Sequence, residues 1–223
     1  MTMKNLFSKK SLSLYFGLGL LIVLIAFIYM NNKQTNYSSS ADADIPTYAI
    51  HGNYDLDMNN KFERVGSADY VFVGTVTEDT GVVYENHVPI EQEDGSTKYI
   101  GDAYSNYKIK VVSNLKNELV TYQEIPIKKQ GGIREDGSAI DIFEDDVLPE
   151  VGETYIFIAY AQEDGSLRVA GPNSTIPFSE EKSAKSETAV VKTDEYKSYE
   201  NAVENQIEGN NEPQVSTFDA LEN

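Results

Sequence analysis

Cysteine and tryptophan are absent from this 223-residue chain, histidine occurs only twice, and no acidic residue precedes Asp42. Without cysteine there is no disulfide, no thiolate metal site, no cysteine nucleophile and no lipid anchor through a thioether. His51 and His87 are the whole imidazole supply, and neither stands in an H-x-x-x-H or H-E-x-x-H spacing. Multi-histidine zinc chemistry is therefore excluded, and both read as surface or turn residues. No G-x-S-x-G element is present to hold a hydrolase nucleophile on a strand-to-helix elbow, and no cofactor-binding motif occurs. Positive charge is scarce as well, with 18 Lys and Arg against 36 Asp and Glu. Lys4, Lys9, Lys10 and Lys33 take four of those cations, so residues 34–223 carry 14 basic and 36 acidic side chains, a balance of −22. Such a surface repels phosphate backbones and anionic headgroups, which excludes nucleic acid as a partner, and it attracts cations and basic peptides.

What the chain does have is one long apolar run, Ser11 to Met30 (SLSLYFGLGLLIVLIAFIYM), behind three lysines. Twenty helical residues at 1.5 Å each cover roughly the 30 Å of a bilayer's hydrocarbon core. A cleaved signal peptide and a retained anchor both begin this way. The run is longer than a signal's apolar stretch, and the nearest A-x-A pattern, Ala41-Asp42-Ala43, lies well beyond it, so the retained anchor is expected. Three lysines precede the run and only Lys33 follows closely, which orients the N-terminus inside and the rest outside the cell membrane.

The organisation expected from composition is a cytoplasmic stub at 1–10, a transmembrane helix at 11–30 and a polar, Ser-rich flexible stalk at 31–47. An extracellular β domain with flanking helices then spans 48–209, and an acidic tail, expected to be frayed, spans 210–223. Phe62 and Val65 predict a short helix within 59–68. Residues 69–77 (DYVFVGTVT) are apolar on both faces and read as a central strand; Tyr107, Ile109 and Val111 alternate with Lys108 and Lys110, a strand with one wet face. Pro126 between Ile125 and Ile127 predicts an edge or a bulge. Tyr155–Ala161 is a second two-faced strand, with Leu167 and Val169 opening its hairpin partner. Glu-Asp-Gly-Ser recurs at 93–96, 135–138 and 163–166, and Asp-Gly supplies the positive φ of a tight turn, so three turns are expected there. Tyr196, Tyr199, Val203 and Ile207 form a helical stripe behind a Thr193 cap.

Candidate ligands are all carboxylates. Asp141, Glu144, Asp145 and Asp146 make the densest acidic cluster and are the candidate Ca²⁺ ligands, alongside the plainer reading of a solvated acidic loop. Asn53, Asp55, Asp57 and Asn59 alternate like the start of an EF-hand loop. A loop opened at Asp55 needs Gly at its sixth position, where Asn60 stands, and Glu at its twelfth, where Gly66 stands. Leu148-Pro149-Glu150-Val151-Gly152 lacks the Thr of a sortase signal and lies mid-chain. No catalytic residue and no bound cofactor are expected.

The segment Ala68-Asp69-Tyr70-Val71-Phe72-Val73-Gly74-Thr75-Val76 resembles the opening strand of the netrin-like domains, the group that includes tissue inhibitors of metalloproteinases. Tyr107 to Val111, Leu115-Lys116-Asn117 and Val151 to Phe157 follow in the same order, over roughly residues 60–171. A closer likeness is to uncharacterised Gram-positive surface proteins, through Lys129-Gln130-Gly131-Gly132, Ala159 to Leu167 and Gly171-Pro172-Asn173-Ser174. The resemblance implies a mainly β fold: a five-stranded OB-type barrel with a short N-terminal and a C-terminal helix, beside the N-terminal transmembrane helix. It carries no activity over. The inhibitors chelate zinc through an N-terminal Cys, which this chain lacks. The function expected is a non-enzymatic, membrane-anchored binding module for an extracellular protein or cell-wall partner. A Ca²⁺-binding surface module and, third, a wall-acting enzyme are the alternatives.

Overall fold

The computed structural model describes residues 45–179 and 187–221. The stub at 1–10, the apolar run at 11–30 and the stalk as far as residue 44 lie outside the described residues. Among the described residues no helix is long and apolar enough to cross a membrane. The described residues belong to the second of two units of the chain, Ile45–Asn223.

The second unit is mainly β, with one large sheet, one small sheet and a few short helices. Two long strands dominate it. Strand β2 (Tyr70–Glu91) and strand β3 (Thr97–Lys116) form an antiparallel hairpin, numbered here after β1 (Thr47–Ile50). Five residues of β2, Val71–Thr75, pair on both sides, with β3 and with β7 (Thr154–Ala161). The segment is apolar on both faces because a separate cluster of buried side chains covers each face. Tyr70, Phe72 and Val76 enter one core together with Ile109, Val111, Ile125, Phe157 and Leu167. Val71 and Val73 point the other way and, with Ile156 and Ile158, meet Val65, Tyr196, Tyr199 and Ala202 from the helices. Full burial of each such aliphatic or aromatic side chain contributes about 1.5–3 kcal/mol.

Strand β4 (Glu124–Gln130) lies antiparallel to β3 and, at Lys128 and Lys129 only, parallel to β8 (Leu167–Val169). Strand β8 pairs with β7, which also carries the short β9 (Thr175–Pro177). The pairings thus run β2, β3, β4, β8, β7 and return to β2. Pro126 sits opposite Lys108, in the part of β4 with no β8 neighbour, where its missing N–H interrupts no ladder. The small sheet sets β1 parallel to β6 (Ile140–Phe143), which is antiparallel to β5 (Gly132–Ile133). Thr47, assigned to the stalk by composition, therefore opens a strand.

The three Glu-Asp-Gly-Ser repeats all close hairpins: β2–β3, β5–β6 and β7–β8. Gly95, Gly137 and Gly165 take φ of 79°, 70° and 77°, and each preceding Asp accepts the N–H of the following Ser at 2.9–3.0 Å. The hydroxyl of that Ser first, and then its N–H, favour the ionised form and lower the pKa of Asp94, Asp136 and Asp164.

Asn60 caps helix α1 (Lys61–Ser67) by accepting the Phe62 N–H at 3.1 Å, and Glu63 in its first turn takes the Asn60 amide at 2.9 Å. Helix α2 (Glu187–Val190) is a single turn before α3 (Asp194–Glu204), whose cap is Thr193, as the sequence predicts. The helix ends before Ile207, which is exposed; instead the Ile207 N–H donates to the Phe62 carbonyl at 3.1 Å. Gly66 permits that approach, because a Cβ there would stand 1.9 Å from the Ile207 carbonyl oxygen.

The frayed end expected over 210–223 is corrected by the structure for residues 214–220. Leu119 bridges Asp219, the Val120 N–H donates to the Phe218 carbonyl at 3.0 Å, and the Ala220 N–H donates to Glu118 at 2.7 Å. The Tyr70 hydroxyl donates to Asp219 at 2.7 Å and accepts the Ser216 N–H at 3.0 Å. Ser216 and Asp219 are buried. The segment is polar by composition, and it is held by hydrogen bonds to residues far away in the chain and by Phe218 packed against the core.

Candidate functional site

The four clustered acids go to four different surroundings. Asp141, on β6, takes a two-pronged hydrogen bond from Arg134, both arms 2.7 Å long, and this raises the Arg134 pKa further. Arg134 also lies over the Tyr48 ring, 4.8 Å from its centroid. Glu144 is exposed and faces the His51 Nδ1 at 3.2 Å. Asp145 is a turn residue with φ of 56°. Asp146 turns inward, where its side chain has no exposure. Among the described residues no three His, Asp or Glu side chains are grouped so that they could hold one ion. A cation at 141–146 would have to displace Arg134 from one carboxylate and Lys129 from another. In the second acidic stretch, Asp57 accepts the Asn59 N–H at 2.9 Å, an ordinary local turn.

Lys129 was not singled out by sequence, although a signal was there. In β4, Ile125, Ile127 and Lys129 share the inward phase of the strand, and Lys129 follows them into the interior with 0% exposure. Its ammonium contacts the Asp146 carboxylate and donates to Ser174 Oγ at 2.7 Å. Ser174 Oγ donates to Asp146 Oδ2 at 2.9 Å, while Asp146 Oδ1 accepts the Thr175 N–H at 2.9 Å. Burial pulls the Lys129 pKa down against the opposing pull of Asp146. Lys129-Gln130-Gly131-Gly132 and Gly171-Pro172-Asn173-Ser174, far apart in sequence, thus meet at Asp146. Gly131 and Gly132, with φ of 120° and 144°, turn the chain sharply out of this buried position toward β5.

Beyond the core, β2 and β3 continue as a two-stranded ribbon over about residues 78–103, bulged near Gly81 and Asn86. Its tip is exposed on both faces. Val88, Ile90 and Ile100 share one face, with Val88 paired to Ile100, and Tyr99 stands on the other, 61% exposed. The ribbon is tied to the β5–β6 hairpin by Tyr84, whose hydroxyl donates to the Ile133 carbonyl at 3.1 Å, and by the Lys98–Asp136 ion pair at 3.3 Å. Between ribbon and hairpin lies a cleft of about 580 Å³. Lys98 to Ala103 form one wall, Arg134 to Asp136 with Asp141 the other, and Ile50 and Gln130 complete it. Four carboxylates (Asp102, Glu135, Asp136, Asp141) face two cations (Lys98, Arg134). Asp136 is held down to about 2 by the Ser138 hydroxyl and N–H and by Lys98, so it stays ionised throughout the neutral range. The cleft combines apolar surface from Tyr99, Ile100 and Ile50 with an excess of negative charge, an arrangement suited to binding. Sequence alternation did not reveal it, because Glu, Asp, Thr and Gly interrupt the apolar pattern between 78 and 87.

No protein-family model matches the chain, and no curated protein matches it.

Proposed function

We propose that this chain is a membrane-anchored binding module displayed outside the cell, non-enzymatic, with a five-stranded OB-type barrel of netrin kind as its scaffold. The circuit of pairings from β2 through β3, β4, β8 and β7 back to β2 supports the barrel reading. So do the two cores, one on each side of β2 and β7. The apolar run at 11–30 and its lysine flank support the anchor.

The observation that carries the binding reading is the cleft beside the ribbon. A two-stranded ribbon has marginal stability in water by itself, yet this one presents Val88, Ile90, Tyr99 and Ile100 to solvent. Exposed apolar residues rimmed by charge mark interaction surfaces. With four acids against two cations in the cleft and 36 acids against 14 cations outside the anchor, the matching partner is a basic extracellular or wall-protein segment with an apolar side chain to place against Tyr99 and Ile50.

A photoreactive residue in place of Tyr99, expressed on intact cells, tests this against the same residue at the exposed Val151, on a turn remote in sequence from the ribbon. A discrete adduct at 99, absent at 151 and suppressed by the charge reversal Glu135→Lys in the facing wall, is the expected result. Equal labelling at both positions, or an adduct insensitive to Glu135→Lys, refutes the cleft as the binding site.

A further inference from the structure

We propose that Lys129 and Asp146 condense spontaneously in the folded protein into an intramolecular amide cross-link between Nζ and Cγ. Both side chains are fully buried and in contact. Burying two full charges costs desolvation energy that their attraction only partly returns. A neutral amide at the same place removes both charges. The groups around the pair are those the condensation requires. Ser174 Oγ accepts from Lys129 Nζ at 2.7 Å and donates to Asp146 Oδ2 at 2.9 Å, so a proton can pass between them along one hydroxyl. The other carboxylate oxygen, Oδ1, is held by the Thr175 N–H at 2.9 Å, where negative charge develops when the carbonyl carbon becomes tetrahedral.

The step balances without any further reactant. The ammonium gives a proton to Asp146 Oδ2, directly or through Ser174, leaving a free amine beside a neutral carboxyl group. The nitrogen lone pair attacks Cγ, and the carbonyl electron pair moves onto Oδ1. The tetrahedral species collapses, the Cγ–Oδ2 bond breaks, and Oδ2 leaves as water with a second proton from the nitrogen. One Nζ–Cγ bond forms, one water is released, and nothing is oxidised or reduced. Groups held together in this way react at effective concentrations on the order of 10⁵ M or more. The bond would tie β4 to the loop before β7 across 17 positions of sequence, a covalent brace in a chain with no cysteine. It stands independently of the binding function.

Peptide mapping of the purified full-length chain tests the bond. Acylated Lys129 resists trypsin, so the expected product is a branched peptide joining residues 129–134 to residues 135–168, one water lighter than its two parts. Lys129→Arg keeps the charge pair but supplies no amine; it is expected to release residues 130–134 and 135–168 as separate peptides. Ser174→Ala, which removes the proton relay, is expected to slow bond formation after refolding at least tenfold while a cooperative melt is kept. Recovery of unmodified, separate peptides from wild-type protein that melts cooperatively overturns the cross-link. Bond formation at the wild-type rate in Ser174→Ala overturns the role given to Ser174.

Discussion

Replacing Tyr70 by Phe removes one oxygen atom from a side chain that is 1% exposed, and leaves its shape in the core intact. That oxygen has two partners, both in the C-terminal segment. It donates to the Asp219 carboxylate at 2.7 Å and accepts the Ser216 N–H at 3.0 Å. A hydrogen bond to a charged group contributes about 1.5–3 kcal/mol, and a buried N–H left without its acceptor costs about 1–3 kcal/mol. Some relaxation of the segment toward water offsets part of this, so the expected loss is roughly 2–4 kcal/mol, or about 6–12 °C in Tm for a unit of this size. The assay is thermal or urea unfolding of the two proteins side by side, with Asp219→Asn added to close a double-mutant cycle. The cycle should show a coupling above about 1 kcal/mol between residues 70 and 219. The pH dependence gives a second reading. Burial, chiefly, with Asp219 beside it, pushes Tyr70 up to about 12 from the ordinary 10. Above pH 10 the unfolded chain gives up this proton while the folded chain keeps it, so stability falls as pH rises from about 10 toward 12. Tyr70→Phe should lose stability less steeply over that window. Equal stability of wild type and variant at pH 7, with no coupling to Asp219, would refute the docked C-terminal segment.

Gly66→Ala should destabilise by about 1–3 kcal/mol through overpacking against the Ile207 carbonyl. In an unobstructed helix the same change would stabilise by about 0.8–1 kcal/mol, so the sign of the shift in urea midpoint decides. Because Arg134 holds Asp141 and Lys129 holds Asp146, millimolar Ca²⁺ should leave Tm unchanged; a clear rise would return residues 141–146 to the role of cation ligands. Asp94→Cys puts the chain's only thiol at the exposed ribbon tip, and a membrane-impermeant maleimide should label it on intact cells. Labelling only after lysis would refute the outward orientation. Lys98→Ala should leave the Tm nearly unchanged, since its ion pair with Asp136 is half-exposed and screened by solvent.

Local rules were enough for much of this chain. Asp-Gly pairs mark three hairpin turns because positive φ is a property of the residue and its neighbour. Alternation at 107–111 separates the buried from the wet face, and the two-faced runs at 69–77 and 155–161 mark the strands that are covered on both sides. Thr193 caps its helix through a bond to Tyr196, three positions on, which is short enough to read in the sequence. Tertiary structure alone decided where the charges go. Four acids that look alike within six positions divide among Arg134, His51, a turn and a buried lysine, because each partner comes from a different strand or loop. Tyr70 and Asp219 are 149 positions apart, and Lys129 and Ser174 are 45 apart. No periodicity within either segment encodes such a meeting. The missing cysteines and the apolar run at 11–30 define what chemistry is unavailable and point to an address. The buried lysine, the acidic cleft and the docked C-terminal segment exist only once the chain has brought distant residues together, since solvent exclusion and hydrogen-bond pairing are properties of the packed chain.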